Sequence, residues 1–274
     1  MNRMRTALAV ALFALVATVA GYPAASAAEE LPGLAKQGRL VVGLDDTFAP
    51  MGFRDPANNL VGFDIDLARA VGEEMGVEIV FQPIEWSAKE MELSTKNIDC
   101  IWNGMSRTPE REKTLTLSQD YLNNRLAIMT DPKVTINTLD DLDGYQVGTQ
   151  AGSSALEAIK RNPVYAKIAD NLHEYATYDE CILDMQAGRI QAMVVDEVLG
   201  QYKNKNLGTA FYFASVDFGA DYYAIGFRRD DKDNSANEQL CRAVEDAIKA
   251  IAASGKGEEI SKKWFGANLL LDMK

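Results

Sequence analysis

The sequence predicts an α/β fold of mostly parallel sheets flanked by helices. Short apolar, β-branched runs alternate along the chain with stretches of helical periodicity, the order that right-handed crossovers produce. Polar residues stand at the carboxyl ends of several of those runs, where open α/β sheets gather ligands. No internal repeat, low-complexity tract or long linker interrupts the alternation.

The 274 residues carry 28 Lys and Arg against 40 Asp and Glu, a formal charge of −12. That balance argues against nucleic acid and anionic membrane surfaces as partners and is silent on small ligands. Residues 1–27 read as a signal peptide. Arg3 and Arg5 make a basic start, Ala7 to Ala20 is an apolar run short for a membrane span, and Ala25-Ser26-Ala27 is a small-residue cleavage pattern. Cleavage before Ala28 would take the charge to −14; an uncleaved anchor is the alternative. Cys100, Cys181 and Cys241 are far apart and lack metal spacing, so at most one disulfide could form. Cys100 reads as a small buried hydrophobe. His173 is the sole histidine, which excludes a His-based zinc cluster and argues against a Ser–His triad. Gly255-Lys256-Gly257 lacks P-loop spacing. No residue pattern asks for a metal or a cofactor.

Arg39 to Asp45 is a strand that delivers Asp45 at its end, either as a ligand group or as a turn cap. Phe48 lies in the loop that follows. Gly62 to Leu67 opens a helix with Asp64 as expected N-cap, and Asp64 and Asp66 are assigned to capping and the helix dipole. Leu67, Val71 and Met75 form its apolar stripe and Gly76 its end. Val77 to Phe81 is the next strand. Trp86, a core anchor or a pocket wall, precedes a capping box at Ser87 to Glu90.

The run from Ile98 to Arg111, IDCIWNGMSRTPER, reads as buried strand, polar turn and helix start. Asn103, Gly104 and Ser106 form the turn. Thr108 is a good N-cap and Pro109 suits the first helical position. Arg111 then falls in the first turn, where its planar fork could take a carboxylate or phosphate; a surface pair with Glu110 or Glu112 is the alternative. Leu115 to Tyr121 closes this unit. The chain is expected to cross into a second lobe along Arg125 to Thr130, ended by Asp131-Pro132, and to return along Phe211 to Val216. Between them lie a helical turn at Leu139 to Leu142 and a strand from Tyr145 to Thr149. Ser154 with Glu157 makes a second capping box, which is a plain cap or an anion site. A weak strand at His173 to Tyr175 and a helix from Asp179 to Ala187 follow. Ile190 to Val195 is a strand that delivers Asp196, a helix cap or a ligand group. Tyr222 to Phe227 is placed as a strand back in the first lobe, followed by helices at Asn237 to Ala253 and Ile260 to Phe265.

A cation, helix N–H groups, acids and two aromatic rings together match a zwitterionic α-amino acid. The segments GLDDTFAPMGF from Gly43, GFDIDLARAVGEEMG from Gly62, the IDCIWNGMSRTPER run, VGTQAGSS from Val147, AGRIQAMVVDEV from Ala187, YAIGFRRDD from Tyr223 and KKWFG from Lys262 resemble, in this order, a family 3 extracellular solute-binding protein. These are the polar amino-acid receptors of bacterial ABC importers. The resemblance implies a two-lobed type II periplasmic-binding-protein fold with the ligand cleft between lobes. Residues 28–124 and 215–274 would form the first lobe and 125–214 the second. It implies a periplasmic monomer that delivers an L-amino acid to a membrane permease and is not an enzyme. Arg111 would bind the ligand carboxylate with Ser106 and Ser154, and Asp196 the ammonium with the Gly104 main chain. Phe48 and Trp86 would flank the ligand side chain and Asp45 would read its polar end. Asn103 stands where a small residue is common. Asp45 favours arginine, lysine, histidine or glutamine; cystine and other polar amino acids stay open. The rival is a cyclohexadienyl-dehydratase-like enzyme on the same fold.

Overall fold

The computed structural model describes residues 38–207 and 211–273. The expected signal peptide and the start of the first lobe lie outside these. The chain opens with β1 (Arg39–Leu44), whose Leu40, Val42 and Leu44 are fully buried. A small antiparallel sheet follows: β2 (Thr47–Phe48), β3 (Gly52–Arg54) and β4 (Leu60–Val61). Next come α1 (Phe63–Met75), β5 (Glu78–Pro83), α2 (Lys89–Ser94), β6 (Cys100–Ile101), α3 (Pro109–Thr114) and β7 (Leu115–Leu117). β8 (Leu122–Thr130) then carries the chain into a second sheet. That sheet's other parts are β9 (Val147–Gln150), α4 (Ser154–Arg161), α5 (Tyr165–Ile168), β10 (Leu172–Tyr175), α6 (Tyr178–Gln186), β11 (Ala192–Asp196), α7 (Glu197–Asn206) and β12 (Tyr212–Tyr223). β13 (Gly226–Arg228), α8 (Ser235–Ala253) and α9 (Lys256–Phe265) return to the first lobe.

The first large sheet has the order β5-β1-β6-β13-β7 and the second β10-β9-β11-β8-β12. In each, a parallel trio at one edge is extended by antiparallel strands. β8 and β12 pair with each other, setting Leu122 against Tyr223 and Asn124 against Asp221. The near end of β12 is pinned to the first lobe, Arg107 N–H donating to Tyr222 O at 2.8 Å and Tyr121 N–H to Tyr223 O at 2.9 Å, and Tyr121 leads directly into β8. The sequence had suggested a break between the strands at Phe211 and Tyr222. Instead one strand of the second sheet runs from Tyr212 to Tyr223, with register shifts on either side of Asp217, the second of which contains Gly219 at φ 111°, and only Gly226–Arg228 joins the first sheet.

The first-lobe core packs α1 and α8 over β1. α8 contributes Leu240, Val244, Ile248 and Ile251, a single face at helical spacing. The second core joins Leu126, Ile128, Val147, Ile159 and Val194. Three expected caps differ. α1 is capped by Gly62, not Asp64, because φ 144° there turns the chain so that Asp64 lies inside the helix and points into the core. The Ser87–Glu90 capping box does not form: a 3-10 turn occupies Trp86–Ala88 and α2 starts at Lys89, one residue later than that cap implies, with no side-chain cap. α4 is capped by Ser153, whose Oγ accepts from Leu156 N–H at 3.1 Å, so Ser154 is already helical.

A Cβ at Gly62 would press into the Met51 carbonyl, whereas one at Gly76 (φ 67°) meets open space. Gly62→Ala should therefore cost more than ~3 kcal/mol in urea unfolding and Gly76→Ala only about 1 kcal/mol, the expense of the left-handed backbone alone. Equal losses would mean that the Met51 backbone yields.

Candidate functional site

Thr108 caps α3 as expected, its Oγ1 accepting from Arg111 N–H at 3.2 Å, with Pro109 first in the helix. This turns the Arg111 side chain inward, where it is 3% exposed. One guanidinium nitrogen donates to Ser106 O at 2.8 Å and the other to Gly152 O at 3.2 Å, while Nε has no acceptor. The surface alternative is not adopted: Glu112 pairs with Arg107 and Glu110 with Arg161. The nearest acid to Arg111 is Glu157, at 3.6 Å.

Arg111 lines a cavity between the lobes with Phe48, Trp86, Gly104 and Ser106 on one side and Ser154 and Asp196 on the other. The lobes are closed on each other and the enclosed space is about 10 Å³, roughly the room for one water molecule. Ser106 Oγ meets Ser154 Oγ at 2.8 Å across the cleft, which the one-residue shift of the α4 cap makes possible. Asp196 ends β11 and occupies the N-cap place of α7, yet its carboxylate caps nothing. It accepts from Asn124 Nδ2 at 2.7 Å and Tyr223 OH at 2.9 Å. Burial, and then the neighbouring Asp221 charge, push its carboxyl up to about 7.

Asp45 and Asn103 lie behind this lining. Asp45 closes a turn, accepting from Thr47 N–H at 2.9 Å and Thr47 Oγ1 at 2.7 Å, and also takes Gln150 Nε2 from the other lobe at 2.7 Å. Burial raises its pKa against those hydrogen bonds. Asn103 Oδ1 accepts from Asp45 N–H at 3.1 Å, so its side chain braces the end of β1.

The sequence reading left out Gln150, Ser153 and Tyr178, which complete the lining. Gln150 sits at the carboxyl end of β9, so the strand-end rule that found Asp45 and Asp196 could have found it. Tyr178 stands in the first turn of α6 over Phe48, with ring centroids 6.1 Å apart, and carries no local signal. Lys89 was also missed. It is buried, 5.0 Å from the Trp86 ring centroid, and donates to Gly152 O across the cleft at 2.8 Å. Burial first, then the Arg111 charge, lower its pKa to about 8. Asp64, expected to cap α1, instead accepts from Gly104 N–H at 2.7 Å and Tyr121 OH at 3.0 Å. It thereby holds Gly104 at φ 56°, where any Cβ would meet Phe48 and Tyr223. Burial pushes the Asp64 carboxyl up to about 7.

Residues 40–267 match the bacterial extracellular solute-binding proteins, family 3, and the chain belongs to that family. The chain is 29% identical to the L-cystine-binding protein TcyJ of Escherichia coli K12, over 93% of each chain. It is 26% identical to the arginine-binding extracellular protein ArtP of Bacillus subtilis, over 83% of this chain and 86% of that one. Among solved structures it resembles an ABC uptake transporter substrate-binding protein of Streptococcus pneumoniae with bound histidine. That likeness has a TM-score of 0.79 and 32% identity, over 86% of this chain and 96% of that one. The fold is thus the two-lobed α/β architecture of type II periplasmic binding proteins. Among the described residues no helix is long and apolar enough to cross a membrane.

A carboxyl held near 7 in the fold keeps a proton that the unfolded chain, with its ordinary value of 3.8, releases. Between those limits the folded state binds more protons, so this group's contribution to stability declines as pH rises, by at most about 1.4 kcal/mol per pH unit. Asp64→Asn removes that slope. Relative to wild type, the variant should gain stability in urea unfolding between about pH 4.5 and pH 7. A difference that does not change with pH would show Asp64 ionised in the fold.

Proposed function

We propose that this family 3 solute-binding protein captures an L-amino acid with a polar side chain and presents it, in the closed state, to the permease of an ABC importer. The reading rests on one observation. A buried guanidinium and a buried carboxylate, Arg111 of one lobe and Asp196 of the other, line a single cavity. A ligand with a carboxylate at one end and an ammonium beside it satisfies both. A ligand lacking either group leaves a buried ion unpaired, at a cost of several kcal/mol.

In this reading Ser106 and Ser154 help Arg111 with the carboxylate, and the Gly104 carbonyl joins Asp196 at the ammonium. Phe48 and Trp86 flank the side chain. β8 and β12 pair within the second sheet and leave it toward the first lobe at Leu122 and Tyr223, which supports a hinge there, outside the boundaries at 125 and 214 expected for the second lobe. Only the closed state touches the ligand from both sides, which is why binding favours closure. The protein works as a periplasmic monomer after loss of its signal peptide. The ligands named for its relatives, cystine, arginine and histidine, support an amino acid of polar side chain. Asp45, with Gln150 in front of it, favours donor-bearing side chains, so arginine, lysine, histidine and glutamine lead and an acidic ligand is disfavoured by charge. The relatives reported above are named as binding proteins, which supports a receptor over a dehydratase.

A thermal-shift panel of the amino acids, cystine, ornithine and citrulline, run on unfolded and refolded protein, tests the class. A large shift with a donor-bearing amino acid is expected, because ligand bound to the native state raises its apparent stability. No shift with any amino acid would sink the reading, and glutamate as tightest ligand would remove Asp45 from the side-chain end. Arg111→Ala should weaken the tightest ligand by at least about 100-fold, roughly 2.7 kcal/mol, with the fold retained. Affinity kept within about tenfold would place the carboxylate elsewhere.

A further inference from the structure

Lys89 is a buried charge that the ligand cavity does not use. It begins α2 on the first lobe and does not line the cavity, whereas its neighbour Trp86 does. An ammonium has three hydrogens and can only donate. Three oxygens stand around Nζ: Gly152 O at 2.8 Å, Glu90 Oε1 at 3.2 Å and Trp86 O at 3.3 Å. The Trp86 ring adds a cation–π contact, its centroid 5.0 Å away. Glu90 and Trp86 belong to the first lobe. The shortest bond reaches the second, where Gly152 joins β9 to α4.

The contact is shaped on both sides. Gly152 stands at φ 68° in the turn between Gln150 and Ser154, and Gln150, Ser153 and Ser154 all line the cavity. A Cβ on Gly152 would lie 3.0 Å from Ser87 Cα, so this turn packs directly on the 3-10 turn at Trp86–Ala88. The Gly152 carbonyl also takes Arg111 at 3.2 Å, and its two lone pairs thus meet two cations of the first lobe. A buried ammonium is costly unless each of its hydrogens finds an acceptor, a demand that an apolar side chain beside Trp86 would not make. Protein atoms meet that demand in full only while Gly152 is in place. Separating the lobes removes the shortest of the three bonds and leaves the other two.

We propose that Lys89 is the clasp of the closed state, a positioning residue that ties the Trp86 turn of one lobe to the Gly152 turn of the other and so slows ligand release without touching the ligand. This rests on capture by closure, as proposed above. The bond to Gly152 is made in the closed state alone, so its free energy enters the affinity of any ligand that favours closure. It also seats the turn that carries Gln150, Ser153 and Ser154. Other contacts between the lobes differ in kind. Arg161 and Glu110, 2.6 Å apart, are each about half exposed, and such a pair is screened by water and salt. Arg111, Ser106 and Ser154 line the cavity and meet the ligand directly in this reading. A clasp forms after encounter and acts on the dissociation rate. A charge that instead drew in the ligand's carboxylate would act on the association rate and its salt dependence.

Lys89→Met keeps an unbranched side chain and removes the ammonium. Stopped-flow kinetics with the tightest binder among L-arginine, L-lysine, L-histidine, L-glutamine and L-cystine provide the test. Dissociation should be at least about tenfold faster than in wild type and association within about twofold. Ligand-free urea unfolding should match wild type, because the bond to Gly152 is not made with the lobes apart. Lys89→Cys should release ligand as fast as Lys89→Met. Alkylating it with 2-bromoethylamine rebuilds the side chain with sulfur in place of one methylene and should restore slow release; Cys100, Cys181 and Cys241 are buried and spared. Release within about threefold of wild type in Lys89→Met, or a loss confined to association, overturns the proposal. So does fast release that persists after alkylation shown complete by mass. A ligand-free destabilisation as large as the loss of affinity would overturn it too, by making Lys89 part of the first lobe's own packing. Absence of binding by every amino acid would strike the receptor reading itself, and the clasp with it.

Discussion

The antiparallel pairing of β8 with β12 is the constraint on which the cleft depends. The two strands belong to the second sheet along their length, but the near end of β12 is hydrogen-bonded to Arg107 and Tyr121 of the first lobe, and Tyr121 leads directly into β8. Wherever the lobes sit, these strands keep Asn124 beside Asp221 and Asp196 one strand away. The Asp196 end of the cavity is thus built within one sheet. The Arg111 end is assembled across the gap, from Arg111 and Ser106 on one side and Gly152 and Ser154 on the other. One end depends on a single sheet and the other on the two lobes meeting.

How much of this could be read from the residues follows from how local each feature is. Thr108, Pro109 and Arg111 are neighbours, so cap chemistry alone places the guanidinium at the first turn of α3. Asp196 is legible for the same reason, as the last residue of an apolar strand. The failures are of two kinds. Caps compete within one residue: Ser153 and Ser154 present the same hydroxyl, and only the turn at Gly152 decides that Ser153 takes the cap. Asp64 failed because Gly62 needs no side chain to begin a helix, which freed the carboxylate for the Gly104 amide 40 residues away. Asn124, Tyr178, Lys89 and Asp221 have partners distant in sequence, and no periodicity or cap rule reaches them.

The site is also a concentration of buried ionisable groups. Asp45, Asp64, Asp196 and Asp221 lie with Arg111 and Lys89 below a tenth of their free exposure. Charges so placed are tolerated only when each finds donors or acceptors. Here most of those are neutral: the Gly152 and Ser106 carbonyls for the cations, amides and hydroxyls for the acids. Gly152 O receives both Lys89 and Arg111. One carbonyl of the second lobe therefore holds two cations of the first, and the hydrogen-bond partners of Arg111 are neutral carbonyls, with the Glu157 carboxylate 3.6 Å away.

At the other end of the ligand, Gln150 decides more than Asp45 does. A carboxylate in hydrogen-bonding contact with an amide needs its N–H, so the orientation of Gln150 is fixed: Nε2 faces Asp45. Its two hydrogens go to Asp45 and to the Ala176 carbonyl. Gln150 lines the cavity and Asp45 does not, and with Nε2 spent, Oε1 is the polar atom it has left for a ligand. An acceptor backed by a carboxylate selects side chains that donate. The proposed preference for donors would thus follow from Asp45 at one remove, through an amide that it orients, with no ligand atom needing to reach the carboxylate itself.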